Sequence, residues 1–268
     1  MKHTSLPCST LTLALTCCLL LAGCSTVPTS FHPSRPIPPG EFSHQSFDEV
    51  LRAHVKDGVV DYPAVAKDPR FTAYLDQLDR VDPNALSDRR HKLAFWINAY
   101  NAFAIKGILD GYSPLTKVGQ WRYFIGKEHR VGGRTINLYD LEKELLIPDF
   151  REPRIHFAIV CASQSCPRLR SEAFTADRLQ AQLEENARAF VNDPGKNRFD
   201  RATRTAYLSK IFEWFEPDFL THGGSLLGYV RRYVEDPELV ADLATQPYKA
   251  EFLEYDWHLN GVSLAGAP

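Results

Sequence analysis

The chain of 268 residues lacks any block of like charge. Its 31 Lys and Arg stand against 33 Asp and Glu, a net charge of -2. No strong attraction to nucleic acid or to an anionic membrane follows from such a balance, and no basic tail or acidic block suggests otherwise. Also lacking are a Gly-x-Ser-x-Gly elbow, a phosphate loop, a dinucleotide fingerprint and a His-Glu-x-x-His pair. His222-Gly-Gly-Ser225 has the look of a lipase oxyanion loop, but without the nucleophile elbow it stands alone. The cysteines and histidines do not have the short ligand spacing of a metal site. No cofactor, no metal and no nucleic-acid partner are therefore expected. There is no internal repeat. Apolar residues make up 44% and charged residues 24%, enough to bury a core in one large domain or two small ones.

Cysteine is scarce, and the N-terminus makes it scarcer. Lys2 gives a positive start, and Leu11 to Leu21 is an apolar run shorter than the roughly 20 residues a spanning helix takes. It ends in Leu21-Ala-Gly-Cys24, which resembles the lipobox of bacterial lipoproteins. The resemblance implies cleavage before Cys24 and acylation of its thiol and new amine. Ser25, where an inner-membrane signal would have Asp, points to the outer membrane of a Gram-negative envelope, facing the periplasm. The expected layout is a signal peptide over 1–23, a lipidated Cys24 and Pro-rich tether over 24–44, a single globular domain over 45–260 and a tail over 261–268. Cys8, Cys17 and Cys18 leave with the signal. Only Cys161 and Cys166 remain unmodified, in a compartment where disulfides can form.

Along the domain, helical spacing begins at Ser46, and a second helix is expected from about Pro69 to Val81. Asp88 to Leu109 is the strongest helix. It has no charge between Leu93 and Ile105, so it should be central and buried. Asn98 and Asn101 lie one turn apart on it; they either tie neighbouring loops to the helix or line a site. Tyr123–Ile125 and Arg134–Asn137 read as a hairpin about Gly132-Gly133, with Asn137 capping the helix that follows. His156 to Val160 reads as a strand buried on both faces, breaking into small polar residues before Pro167. Thr175 should cap another helix. Phe199 and Thr205–Leu208 suggest a second hairpin, and Ser209 to Phe215 should turn from strand into helix, closed by Glu216-Pro217-Asp218-Phe219. Helices follow over Ser225–Val234 and Pro237–Ala244, and Phe252–Trp257 reads as a last strand. Helices interleaved with hairpins argue for an α+β fold around an antiparallel sheet.

Four stretches together resemble the domain of unknown function 547 family: Leu93-Ala-Phe-Trp-Ile-Asn-Ala-Tyr-Asn101, Arg154-Ile-His-Phe-Ala-Ile-Val-Cys-Ala-Ser-Gln-Ser-Cys-Pro167, Leu208-Ser-Lys-Ile-Phe-Glu-Trp-Phe215 with Asp218-Phe219, and Tyr255-Asp-Trp257. The resemblance covers roughly residues 45–258. It implies no settled reaction. It singles out Cys161, since some members lack the cysteine at the Cys166 position. The family often has Glu-His near Glu142-Lys143, a histidine absent here. Its distant similarity to papain-like and transglutaminase-like thiol enzymes implies a fold of that kind.

A cysteine nucleophile needs a base and a group to orient that base. Cys161 is the candidate nucleophile and His156 the candidate base. Asn98, Asn101, Glu142 and Asp218 are candidate orienting groups, and Ser163 with the loop amides could hold an oxyanion. Arg154, Cys166, Ser209 and Trp214 join Asn101, Glu142 and Asp218 as candidate binding residues; Cys24 is the candidate lipidation site. One geometric objection stands. His156 and Cys161 are five apart, so an ideal strand points them to opposite faces. Either the strand ends before Cys161, or the base is His129, His222 or His258. Cys166 is the rival nucleophile. The alternatives are a Cys161–Cys166 disulfide closing a short loop, a Cys161 that is only a small buried hydrophobe, and a His156 bonded within the core. Trp96, Trp121, Trp214 and Trp257 are either core or cleft residues. Two functions follow. One is an envelope lipoprotein carrying a thiol hydrolase or acyl transferase for an amide or thioester, its small-molecule or peptide substrate unknown. The other is a non-catalytic binding module whose two cysteines form a structural disulfide.

Overall fold

The computed structural model describes residues 35–264. The expected signal peptide, Cys24 and the tether up to Ser34 lie outside the described residues, as do residues 265–268. The later part of the Pro-rich stretch lies against the domain. Ile37 donates its N–H to the Arg80 carbonyl, 2.8 Å away, and Phe42 packs edge-on against Phe95. None of the described helices is long and apolar enough to cross a membrane.

The helix Arg89–Leu109 is the axis of the fold. Asp88 caps it, accepting from the N–H groups of Arg90 and His91 at 2.8 and 3.0 Å. From Leu93 to Ile105 every side chain is buried, as the absence of charge there requires. Around it lie the helices Gln45–His54 and Pro69–Arg80, and the hairpin Glu128–Val131 with Arg134–Asn137. The expected turn at Gly132-Gly133 is present, but the first strand begins at Glu128. Tyr123–Ile125 is instead helical, within a π turn over Arg122–Gly126 that continues the helix Lys117–Trp121. Asn137 caps the next helix by accepting from the Asp140 N–H.

The fold is α+β, but the strands of the described residues form three small sheets rather than one antiparallel sheet. Two of them contain a parallel pair: Val59–Asp61 with Gly261–Val262, and Thr205–Leu208 with Lys249–Phe252. The Phe199 hairpin forms as expected, Arg198–Asp200 against Thr205–Leu208. Ser209 caps the helix Lys210–Trp214. Glu216 and Pro217 open a further helix to Gly223 where a stop was expected, since proline suits the first turn of a helix. The strand expected over Phe252–Trp257 lies earlier, over Lys249–Phe252, and residues 253–257 are irregular. The helix expected from Thr175 starts only at Leu179.

Two apolar clusters result. The first gathers around the long helix. The second is built from Phe157, Phe190, Phe212, Phe219, Tyr229 and their neighbours in the C-terminal part. Tyr255 packs against both.

Candidate active site

The stretch Arg154–Val160 is not a strand. Pro153–Phe157 is a 3-10 helix, with Glu152 accepting the Arg154 N–H at its start and Pro153 in its first turn. Ile155 to Val160 are all buried, as the apolar run suggested. A short buried run is compatible with helix or strand, and here a proline and a capping acid at its start decide for the helix. The alternation that would have turned His156 away from Cys161 therefore does not apply. The chain turns sharply at Ala162, whose φ of 63° puts a non-glycine residue in the left-handed region.

At the seam of the two clusters lies a cleft of about 360 Å³. Cys161 and Cys166 line it together with His156 and Ile159. Phe124, Tyr139, Trp214, Phe215, Tyr255 and Trp257 give it aromatic walls, and Gln120, Glu142 and Lys143 are among its polar groups. Cys161 and Cys166 are joined by a disulfide, their Cα atoms 6.2 Å apart. Around the two sulfurs sit small hydroxyl groups. Ser163 Oγ lies 3.4 Å from the Cys161 sulfur and 3.1 Å from that of Cys166, and it donates to the Tyr255 hydroxyl at 3.1 Å. The Tyr255 oxygen is 3.2 Å from each sulfur. Burial pushes the Tyr255 phenol above its ordinary pKa, so it stays protonated at neutral pH.

His156 is almost fully buried, with its ring stacked on Phe215 at 3.9 Å between centroids. Its Nε2 lies 2.8 Å from an Asp218 carboxylate oxygen. The hydrogen bond from His156 is the main cause that holds Asp218 below the ordinary carboxylate range. An ionised carboxylate can only accept, so Nε2 carries a proton, and in the neutral imidazole the lone pair is on Nδ1. Nδ1 is buried and has no partner. His156 lines two hollows, the cleft and a second one shared with Asp218, Glu152 and His222.

The other candidates divide. Glu142 and Trp214 line the cleft. The Tyr100 hydroxyl donates to Glu142 at 3.3 Å, and Trp214 stacks on Trp257. Lys143 sits 3.6 Å from the Phe215 ring centroid as a cation–π partner. Asn98 orients nothing in the cleft: it exchanges hydrogen bonds with the backbone of Phe174 at 2.8 and 2.9 Å. Asn101 does the same for the Ala158 carbonyl and the Val160 N–H. Ser209 is a helix cap. Arg154 is held by Glu152, Gln180 and Glu184. Of the alternative bases, His129 is buried under the hairpin on Phe103, His222 bonds to the Asp218 carbonyl, and His258 is exposed beside Asp256; none of the three lines the cleft. Trp96 is core and Trp121 is exposed. Tyr139 and Gln120 carried no signal in the sequence as cleft residues, whereas Phe215 and Tyr255 lay in two of the motifs that resemble the family. Among the described residues no group of three or more His, Cys, Asp or Glu is arranged to hold a metal ion.

Residues 83–191 match the family model described as a protein of unknown function, DUF547, so this part of the chain is similar to that family. The match takes in the long helix, His156 and both cysteines. It stops short of Trp214 and Tyr255, which complete the cleft, and of Asp218, which pairs with His156. Comparison with curated proteins and with solved structures yields no match.

Proposed function

We propose that this chain is an outer-membrane lipoprotein, anchored through acylated Cys24 and facing the periplasm, whose cleft is a thiol-dependent hydrolase or acyl transferase for an amide or thioester. The observation that carries the catalytic part is the His156–Asp218 pair with a free lone pair on Nδ1, in the same cleft as Cys161. A buried histidine oriented by a carboxylate is what a thiol nucleophile needs as its base. In the closed disulfide the nucleophile is masked. An external dithiol opens it by two exchange steps, leaving as its own disulfide and delivering two electrons and two protons to Cys161 and Cys166. His156 then takes the Cys161 proton, and the thiolate attacks the substrate carbonyl carbon. The amine or thiol leaves with the proton returned by His156, and water or another acceptor releases the acyl group from sulfur. Ser163 and Tyr255, already directed at the sulfurs, are the donors best placed to receive the developing oxyanion. The lipid anchor rests on the Leu21-Ala-Gly-Cys24 signal; palmitate labelling lost in Cys24→Ala tests it.

The test of the catalytic reading is alkylation with and without a dithiol across pH, mapped by mass spectrometry. After reduction Cys161 should alkylate faster than Cys166, with an apparent pKa below the roughly 8.5 of a free thiol. His156→Gln should raise it again. Equal rates at both cysteines, indifferent to His156, would sink the reading. A second reading is favoured by the disulfide itself: a binding module in which the Cys161–Cys166 bridge only shapes the floor of an aromatic cleft.

A further inference from the structure

The near-neutral total charge conceals an uneven surface. From Gly111 to Lys127 the chain has no Asp or Glu, but it has Lys117, Arg122 and Lys127, the last of them paired with Asp110 at 2.6 Å. This stretch includes the helical segment Lys117–Gly126, which divides into three stripes. Gly119 and Tyr123 face inward: Tyr123 is fully buried and donates to the Ala104 carbonyl of the long helix. Lys117, Gln120 and Phe124 face the cleft. Val118, Trp121 and Ile125 face outward and are 70%, 59% and 40% exposed, with Leu115 just before them at 40%. Nothing among the described residues covers them. Apolar residues at helical spacing, with a tryptophan among them and cations beside them, match an interfacial helix. Such a helix sinks its apolar side to the level of the acyl chains and leaves its cations at the headgroups.

We propose that the Val118–Trp121–Ile125 face docks on an anionic phospholipid surface, bringing the mouth of the cleft against the bilayer. The charge fits, because the only ionic side chains of the segment itself are positive. The chain outside the described residues fits as well. From Cys24 to Ser34 it can span up to roughly 30 Å at about 3.1 Å per residue, so an anchored domain would stay within reach of the membrane. The proposal does not depend on thiol chemistry, and a ligand reaching the cleft this way would be presented at the membrane surface.

The test uses the mature chain with an environment-sensitive fluorophore on an encoded azide residue at position 118, and a control at Glu238, whose side chain is 80% exposed. Vesicles of phosphatidylglycerol should cause a blue shift at 118 that brominated acyl chains quench, with none at 238. Reversing the charge with Lys117→Glu and Arg122→Glu should abolish the response while the circular dichroism is unchanged. Equal responses at the two positions, no response at 118, or a response that survives the charge reversal overturns the proposal. So does a response that needs no vesicles and grows with protein concentration, which would mark the face as a contact between copies of the chain.

Discussion

Asn98 and Asn101 each act as a one-residue surrogate strand. A carboxamide carries both an N–H donor group and a carbonyl acceptor, as a backbone peptide does, and each of these two pairs with both a carbonyl and an N–H of an irregular segment. Asn101→Ala leaves the Val160 N–H and the Ala158 carbonyl unpaired in the core, at about 1 to 3 kcal/mol for each group. Urea denaturation should report the loss, and a change below about 1 kcal/mol would mean that water takes the amide's place. His129 makes a different prediction. Burial depresses its pKa from the ordinary 6.5 to about 3. Below pH 6.5 the unfolded chain takes up a proton that the folded chain refuses until about pH 3. Stability therefore falls as pH drops through that window, by up to about 1.4 kcal/mol per pH unit. His129→Phe, keeping the stack on Phe103, should flatten that part of the stability–pH curve; an unchanged slope would assign the acid sensitivity to other groups.

Among the elements, the helix Arg89–Leu109 was legible because thirteen residues in a row, Leu93 to Ile105, carry no charge. The Gly132-Gly133 turn and the cap at Asn137 were legible for a similar reason, a local residue with a local job. The run from Arg154 to Val160 was not. Its apolar residues meet surroundings supplied by Asn101, Asn186 and the second cluster, and no periodicity reveals partners that distant. The same holds for Asp218, which was one of four candidates for orienting His156 until the fold brought it 2.8 Å from Nε2. The helical segment Lys117–Gly126 depends on a close approach. A Cβ at Gly107 would lie 2.7 Å from the Tyr123 ring. In an open helix Gly→Ala gains about 1 kcal/mol, but here we expect Gly107→Ala to destabilise and to speed hydrogen exchange across 117–126. A variant more stable than the parent would mean that Tyr123 has room to move. The thiol loop is small, so opening it with Cys161→Ala and Cys166→Ala together should remove about 2 kcal/mol, read from the same urea titration.

On the scale of the whole molecule, the segment bearing the site is also the joint between the two clusters. Ile155, Ala158 and Ile159 belong to the first, while Phe157, between them in sequence, stacks on Phe190 and Phe219 in the second. Phe157→Ala should cost about 3 to 5 kcal/mol and loosen the C-terminal part selectively. Hydrogen exchange should rise across 206–230 and hold across 94–105; a uniform rise would show the two clusters to be one cooperative unit. The cover of the thiol loop comes from far along the chain. Gln164 and Ser165 donate to the carbonyls of His258 and Asp256, the Asn260 N–H reaches the Ala162 carbonyl, and Tyr255 supplies the hydroxyl against both sulfurs. During synthesis the two cysteines emerge about ninety residues before these partners. On the proposed export from its N-terminus, the chain would meet oxidising surroundings with both thiols bare, and the pair could close before Tyr255 arrives to cover it.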